Sequence, residues 1–389
     1  MTKQNNRKKK ISIVGSGNAG CLTAIQYYLT ASKYIDKITI YHDPTIPIER
    51  VGQGSNAGVA TLIDHFFYLD FYDRNIIKST RKEGILYENW GKHTDKIFHP
   101  FPQSQLANHY IPSLFSKAVL ESGVFDVVEK RVENPEEEID SDFIFDCRGR
   151  NNRDKSLYDP LINPLNSVIL ARKEKIYTDL VYTRTVATPN GWTFVIPNID
   201  STSYGYLYND QITTKEEAEK DFVERFDVVP DGYLKFENYI AKSCFQGERT
   251  ILNGNRLSFL EPLEATSTSF YTYVASTSLE HIISGIDKEL CNQRVRSWMN
   301  KLQNFILWHY QFGSKFDTPF WDYAKSLPFN PEPEFQKTLE YAMSNSYGEM
   351  IRSIYKSNGM DENEYSEWSP LSFKNWTDGM GLTAPPKYC

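Results

Sequence analysis

Three glycines at fixed spacing, Gly15-Ser16-Gly17-Asn18-Ala19-Gly20, follow the β-branched run ISIV and precede the helix-forming segment CLTAIQYYL. The first glycine of such a turn permits its tight bend. The second lets backbone approach a pyrophosphate, and the third lets helix pack closely on strand. The phosphate then rests on the unpaired amides that open the helix, so Gly15, Gly17, Asn18, Ala19 and Gly20 are candidate cofactor contacts. A second strand, DKITIYHD, completes a βαβ unit and ends on His42-Asp43. Asp43 is therefore the candidate for a ribose hydroxyl, with a plain turn Asp before Pro44 as the competing reading. A dinucleotide is indicated; which one is left open by this stretch.

Two later segments bear on that choice. Residues 51–55, VGQGS, form another glycine-punctuated loop, and FIFDCRG at 143–149 reads as a buried strand ending on Asp146 and Gly149. A strand returning to the dinucleotide site is typical of flavoproteins and absent from simple nicotinamide dehydrogenases, which favours FAD. Two stretches then fit neither a core strand nor a solvated helix: WTFVIP at 192–197, aromatic at alternate positions, and FLEPLEATS at 259–267.

The chain that must position these residues has 389 residues, 40% hydrophobic and 24% charged, enough for two substructures. Its 25 Tyr, 23 Phe and 7 Trp suit sites for flat ligands, or aromatic-rich packing. A net charge of −7 argues against non-specific nucleic-acid binding. The five cysteines form no CxxC pair, so a zinc knuckle is excluded by spacing and a reducing, cytoplasmic setting fits best. No apolar run approaches the roughly 18 residues of a membrane span, and MTKQNNRKKK reads as a short solvated tail. The segment SLEHIISGIDKELCNQRVRSWMNKLQNFILWHYQ has helical spacing, with Gly285 marking a break.

Taken in order, GSGNAG, Trp192-x-Phe194-x-Ile196-Pro197, FLEPLEATS and Asp317-Thr318-Pro319-Phe320-Trp321 resemble the flavin-dependent halogenases, in particular the tryptophan halogenase family. The resemblance runs from about residue 10 to about residue 325. It implies an α/β fold of the FAD-binding two-dinucleotide (Rossmann-like) flavin monooxygenase type, with an antiparallel sheet and a helical C-terminal part. The expected division is a 1–275 core and a 276–389 substrate-covering part. The implied chemistry uses reduced FAD, O2 and a halide ion to make hypohalous acid, which travels to a lysine beside an electron-rich aromatic substrate.

Residue by residue, the resemblance makes Lys82 the amine that holds the hypohalous acid or forms a haloamine, and Glu264 the carboxylate facing it. Glu261 takes the structural part at the helix start. The backbone at Thr266 and Ser267 would hold halide. Trp192, Phe194, Ile196 and Pro197 would wall the flavin off from the substrate, and His99 and Phe101 would stack the arene. The family tends to have Gly at 267, Trp at 194, Gly at 102 and Glu at 53, where this chain has Ser, Phe, Pro and Gln. Gln53 belongs to the loop expected against the flavin. The shorter stretch after DTPFW argues against carrying free tryptophan over as substrate, leaving an indole, phenol or carrier-bound arene. No second nucleotide motif is present, so a separate flavin reductase is the expected partner, with homo-oligomerisation left open. The competing readings are a flavin monooxygenase that hydroxylates its substrate and an inactive flavin-binding scaffold.

Overall fold

The computed structural model describes residues 7–49, 51–68, 76–101, 107–174, 181–356 and 365–381. It is an α/β protein of two compact units, each assembled from three chain segments: Met1–Lys82, Gln103–Leu161 and Glu237–Ser297 in the first, Glu83–Pro102, Ile162–Phe236 and Trp298–Cys389 in the second. These units differ from a single division after residue 275. The helix Ser267–Ser284 continues straight out of the FLEPLEATS turn and packs on the helix Asn18–Ala31, which keeps it with the first unit.

The first unit is built on a six-stranded sheet. Its order is Phe245–Gln246, Thr250–Leu252, Phe143–Asp146, Lys9–Val14, Ile35–His42 and Asp126–Glu129, with every pair parallel except the first. The ISIV run fills the centre because its residues are buried on both faces, as a parallel sheet requires. Ile11, Ile13, Leu22, Ile25, Ile40 and Phe145 share one apolar core. A smaller antiparallel sheet places Ala107–Tyr110 between Gln53–Gly54 and Thr80–Lys82.

Between those short strands runs the helix Ala57–Phe67, started by Asn56, whose side chain accepts from the Val59 amide at 3.0 Å. Asp64 on this helix has a shielded Oδ1 without a hydrogen-bond partner among the described residues, and burial pushes its carboxyl up to about 6. A raised carboxyl favours the neutral form in the fold, so its contribution is complete below the unfolded carboxylate range and is lost as pH rises through about 6. Asp64→Asn is therefore expected to stabilise the protein at pH 7.5, by about 1 kcal/mol after allowing for solvent screening of a half-exposed group. Thermal melts at pH 5 and 7.5 check this: the gain should be clearly larger at the higher pH.

The second unit carries a seven-stranded mixed sheet in the order Pro230–Lys235, Ser167–Glu174, Ser201–Tyr208, Gly191–Pro197, Thr183–Thr188, Gly84–Glu88, Lys96–Pro100. Only the pair Thr183–Thr188 with Gly84–Glu88 is parallel. One face packs Tyr206 and Ile169 under the helix Lys215–Phe226, whose Thr214/Glu217 capping box fixes its start. The expected break at Gly285 is present: the helix Ser267–Ser284 ends there in left-handed backbone at φ 68°, and Lys288–Phe312 follows. DTPFW caps and opens the helix Pro319–Ser326. Thr318 donates to Pro189 O at 2.6 Å and Trp321 Nε1 to Thr188 O at 2.8 Å, which ties this motif to the turn leading into WTFVIP. Among the described residues no helix is long and apolar enough to cross a membrane, and no cluster of His, Cys, Asp or Glu could hold a metal ion.

Candidate functional site

In the first unit the glycine turn sits where its spacing predicts. A Cβ on Gly15 would fall 2.6 Å from the Cys147 carbonyl, and one on Gly20 would fall 1.9 Å from the Gly15 carbonyl, so strand tips and helix close on each other only through glycine. Gly17 is the opposite case: nothing lies within 4 Å of its Cβ direction. It caps the helix Asn18–Ala31 without a side-chain hydrogen bond, leaving the helix-opening amides and the space before them to a ligand. At the tip of the next strand, Asp43 accepts from the amide and hydroxyl of Thr45, which hold its carboxyl below the usual range. Its shielded Oδ2 has no partner among the described residues. An open phosphate seat and an unsatisfied carboxylate oxygen at this separation along a βαβ unit fit a dinucleotide.

Gln53 joins this end of the unit. Asn18 donates to Gln53 Oε1 at 3.3 Å and receives the Tyr110 hydroxyl at 3.2 Å, while Gln53 itself donates to the Gly54 carbonyl. Ala19 is buried against Gly254, and Gly149 has left-handed backbone at φ 85° with open space around it. Asp146 differs from its expected part. Its carboxylate is fully buried and taken by two arginines, Arg148 at 2.7 and 2.9 Å and Arg256 at 3.1 Å. It anchors the end of its strand with the charge already matched.

Lys82 is almost wholly buried, at 1% exposure. The register explains where it goes. His109 pairs with both Gly54 and Thr80, and Lys82 pairs with Ala107, so Gly54, Thr80, Lys82, Ala107 and His109 share one face of the small sheet. Gly54 contributes no side chain, and the amine occupies that space. A Cβ on Gly54 would lie 3.3 Å from Lys82 Nζ, 3.5 Å from Ala265 Cβ and 3.7 Å from His109 Cδ2. Lys82 Nζ also donates to the Ser55 carbonyl at 3.2 Å. Ser55 is itself fixed by reciprocal bonds with Asn108.

Ala265 brings FLEPLEATS to this amine. The residue before it, Glu264, has φ 68° and ψ 0°, and Ala265 has φ 56°. Two consecutive non-glycine residues in left-handed backbone store strain of about 1–2 kcal/mol each. Behind them Glu261 is buried, its amide held by Asn238 Oδ1. Ahead of them Thr266 caps the helix Ser267–Ser284 without a side-chain cap bond, so the first amides of that helix face outward from its start. Proline, strained turn and uncapped helix account for the unusual composition of this stretch.

In the second unit Trp192, Phe194 and Ile196 lie on one face of their strand, pairing with Leu207, Gly205 and Ser203. Each is buried, and the Phe194 ring lies across Gly205. Trp192 Nε1 donates to the Tyr310 hydroxyl at 3.0 Å, and Pro197 ends the strand. His99 and Phe101 meet edge to face at 5.9 Å, and His99 Nε2 pairs with the Ser372 hydroxyl at 3.1 Å. Pro102 lies outside the described residues. The side chains that the motifs did not point to are Ser55, Thr80, Asn108 and His109. No local signal marks them, because only the pairing of three distant strands brings them to Lys82.

The tryptophan halogenase family description matches residues 10–122 and 116–369. The tryptophan 6-halogenase ThaL of Streptomyces albogriseolus is 23% identical over 83% of this chain and 80% of its own length. The tryptophan 7-halogenase RebH of Lentzea aerocolonigenes is 24% identical over 48% of this chain, a match that spans 39% of the relative. Among solved structures, Xcc4156, a flavin-dependent halogenase from Xanthomonas campestris, superposes with a TM-score of 0.79 at 16% identity, covering 96% of this chain and 89% of that one. BrvH, a flavin-dependent halogenase from Brevundimonas sp. BAL3, gives 0.75 at 18% identity, covering 97% and 91%. At such identities the structural likeness establishes the fold.

Proposed function

We propose, from the premise that this chain belongs to the tryptophan halogenase family, a family of flavin-dependent halogenases, that it halogenates an electron-rich aromatic substrate of indole or phenol type through Lys82. The observation that carries the reading is the meeting of the buried Lys82 amine with the strained Glu264–Ala265 turn over Gly54. A lysine this deeply buried in a sheet face has no solubilising role, and charge burial is costly unless used.

The parallel six-stranded sheet is read as the two-dinucleotide flavin fold, with Gly15, Gly17, Asn18, Ala19 and Gly20 seating the pyrophosphate of FAD and Asp43 holding its ribose. Gln53 and Gly149 would line the same cofactor. FAD, delivered reduced by a separate reductase, would supply the electrons with which O2 converts a halide ion to hypohalous acid. Backbone amides at Thr266 and Ser267 hold the halide in this reading, since a helix start favours an anion. The Lys82 ammonium donates a hydrogen bond to the hypohalous acid and withdraws charge from the halogen. Glu264 stabilises the cationic ring and accepts the proton that leaves the substituted carbon. Trp192, Phe194, Ile196 and Pro197 keep the arene from the flavin edge, and His99 and Phe101 stack it. We assign the helical segment from 276 onward to covering the substrate, and the enzyme to the cytoplasm, in keeping with the four buried free cysteines among the described residues.

The test supplies reduced FAD, O2 and chloride, bromide or iodide in turn with an indole and phenol panel, with products read by mass spectrometry. A halogen mass shift is expected; addition of oxygen alone would replace this reading with a monooxygenase, and no product in any combination would leave a flavin-binding scaffold. The cofactor seat has its own test. Gly17 has φ −69° and ψ −175°, open to alanine, and its Cβ would meet nothing. Gly17→Ala should leave the melting temperature unchanged and weaken FAD binding about 10-fold or more, by blocking backbone approach to the phosphate. Titration by flavin fluorescence checks it; an unchanged affinity moves the phosphate elsewhere.

A further inference from the structure

We propose that His109 is a positioning residue for Lys82: its imidazole edge, fixed from behind by Thr80, holds the amine in the space that Gly54 leaves open. The argument is geometric. Strand register puts His109, Thr80, Lys82 and Gly54 on one sheet face, and Lys82 Nζ and the Cδ2 edge of the ring lie 3.3 and 3.7 Å from the point where a Gly54 Cβ would fall. His109 is fully buried, and its Nδ1 pairs with Thr80 Oγ1 at 3.2 Å. The ring edge toward the amine therefore carries Cδ2 and Nε2.

Electrostatics selects how that edge is used. Burial, and then the neighbouring Lys82 charge, hold the imidazole well below its ordinary range, so the ring is neutral at working pH. A neutral ring beside an ammonium is favoured in the tautomer whose Nε2 lone pair faces the cation, which assigns the Nδ1 proton to Thr80 Oγ1. The other titratable groups nearby come from neighbouring elements. Glu264 belongs to the turn next to Ala265, and Arg81 alternates to the opposite sheet face. Asp64 and His65 lie on the helix Ala57–Phe67, whose Val59 and Ile63 pack with Tyr110, on that opposite face. With the Ser55 carbonyl as one acceptor and the imidazole as a second, two of the three Lys82 protons are directed.

The proposal rests on Lys82 being the working amine, and the experiment separates the two claims. His109→Leu, His109→Gln and Thr80→Val are made in the full chain with FAD, and Lys82 is followed both by turnover and by its 13Cε resonance, identified by its loss in Lys82→Met. His109→Leu is expected to lower kcat roughly 10- to 100-fold, as for one hydrogen bond to a charged group, and to shift the Lys82 titration to lower pH. KM for the arene and FAD affinity should stay within about twofold, and the Gln carbonyl should restore kcat to within about fivefold of the parent. Thr80→Val should show the same Lys82 shift in weaker form, and it carries the test if His109→Leu does not fold. A Lys82 resonance and kcat indifferent to these changes overturn the proposal. If the parent halogenates nothing, the functional reading fails, and the Lys82 resonance still decides the role of His109.

Discussion

Replacing Lys82 by alanine is expected to lower halogenated product by roughly 10²–10⁴-fold, the range for loss of a positioned proton donor or charge. Flavin binding and its reoxidation by O2 should be unchanged, because the glycine turn and Asp43 lie on other elements. The structure also says what else the substitution disturbs. It removes the donor to the Ser55 carbonyl and empties the space bounded by Gly54, Ala265 and His109. Ser55 remains held by Asn108, so the loop should keep its path. Lys82→Met fills most of the volume without the charge, and should be as inactive as alanine but more stable. If Lys82→Met retained full halogenation, the amine would have no part in transfer. If both variants lost flavin oxidation as well, the defect would lie in the fold of the small sheet.

Why this lysine could be singled out from sequence, and its neighbours could not, follows from how each is specified. The glycine turn and FIFDCRG are local patterns whose geometry is fixed by adjacent residues. Their meeting at the Gly15–Cys147 approach follows from parallel pairing of Val14 with Asp146. WTFVIP alternates, and a strand with one aromatic face is the direct result. Lys82 has no local pattern among Lys78, Arg81 and Lys92, and it stood out only through the resemblance. His109, Asn108 and Thr80 depend on the register of strands only two to four residues long, which sequence specifies weakly. The same holds for the Glu264–Ala265 turn: its proline and small residues signal a break, but left-handed backbone at two non-glycine positions is imposed by the surroundings. The unit boundaries were hidden for a related reason, since each unit gathers three segments that touch only after folding.

Asp146→Ala is expected to destabilise the first unit by about 3–5 kcal/mol, the range for breaking a buried ion pair and stranding its partner. Here two partners are stranded. Arg148 grips both carboxylate oxygens and reaches back to the carbonyls of Val132 and Glu133, while Arg256 links the same carboxylate to the Asn151 carbonyl. The Asp146 carbonyl receives the Asn253 amide at 3.0 Å, so the loop after Thr250–Leu252 depends on the same strand end. Asn at this position would keep one acceptor and lose the charge, and should fall between parent and alanine. The sequence alone had offered Asp146 as a direct cofactor contact, and the two parts are separable by measurement. A cofactor contact predicts weaker FAD binding with an unchanged urea midpoint. The arginine clamp predicts a large fall in the midpoint, with FAD affinity of the folded fraction retained and saturating FAD restoring only its ordinary linkage increment. An Asp146→Ala protein with parental stability and lost FAD affinity would return the carboxylate to the cofactor.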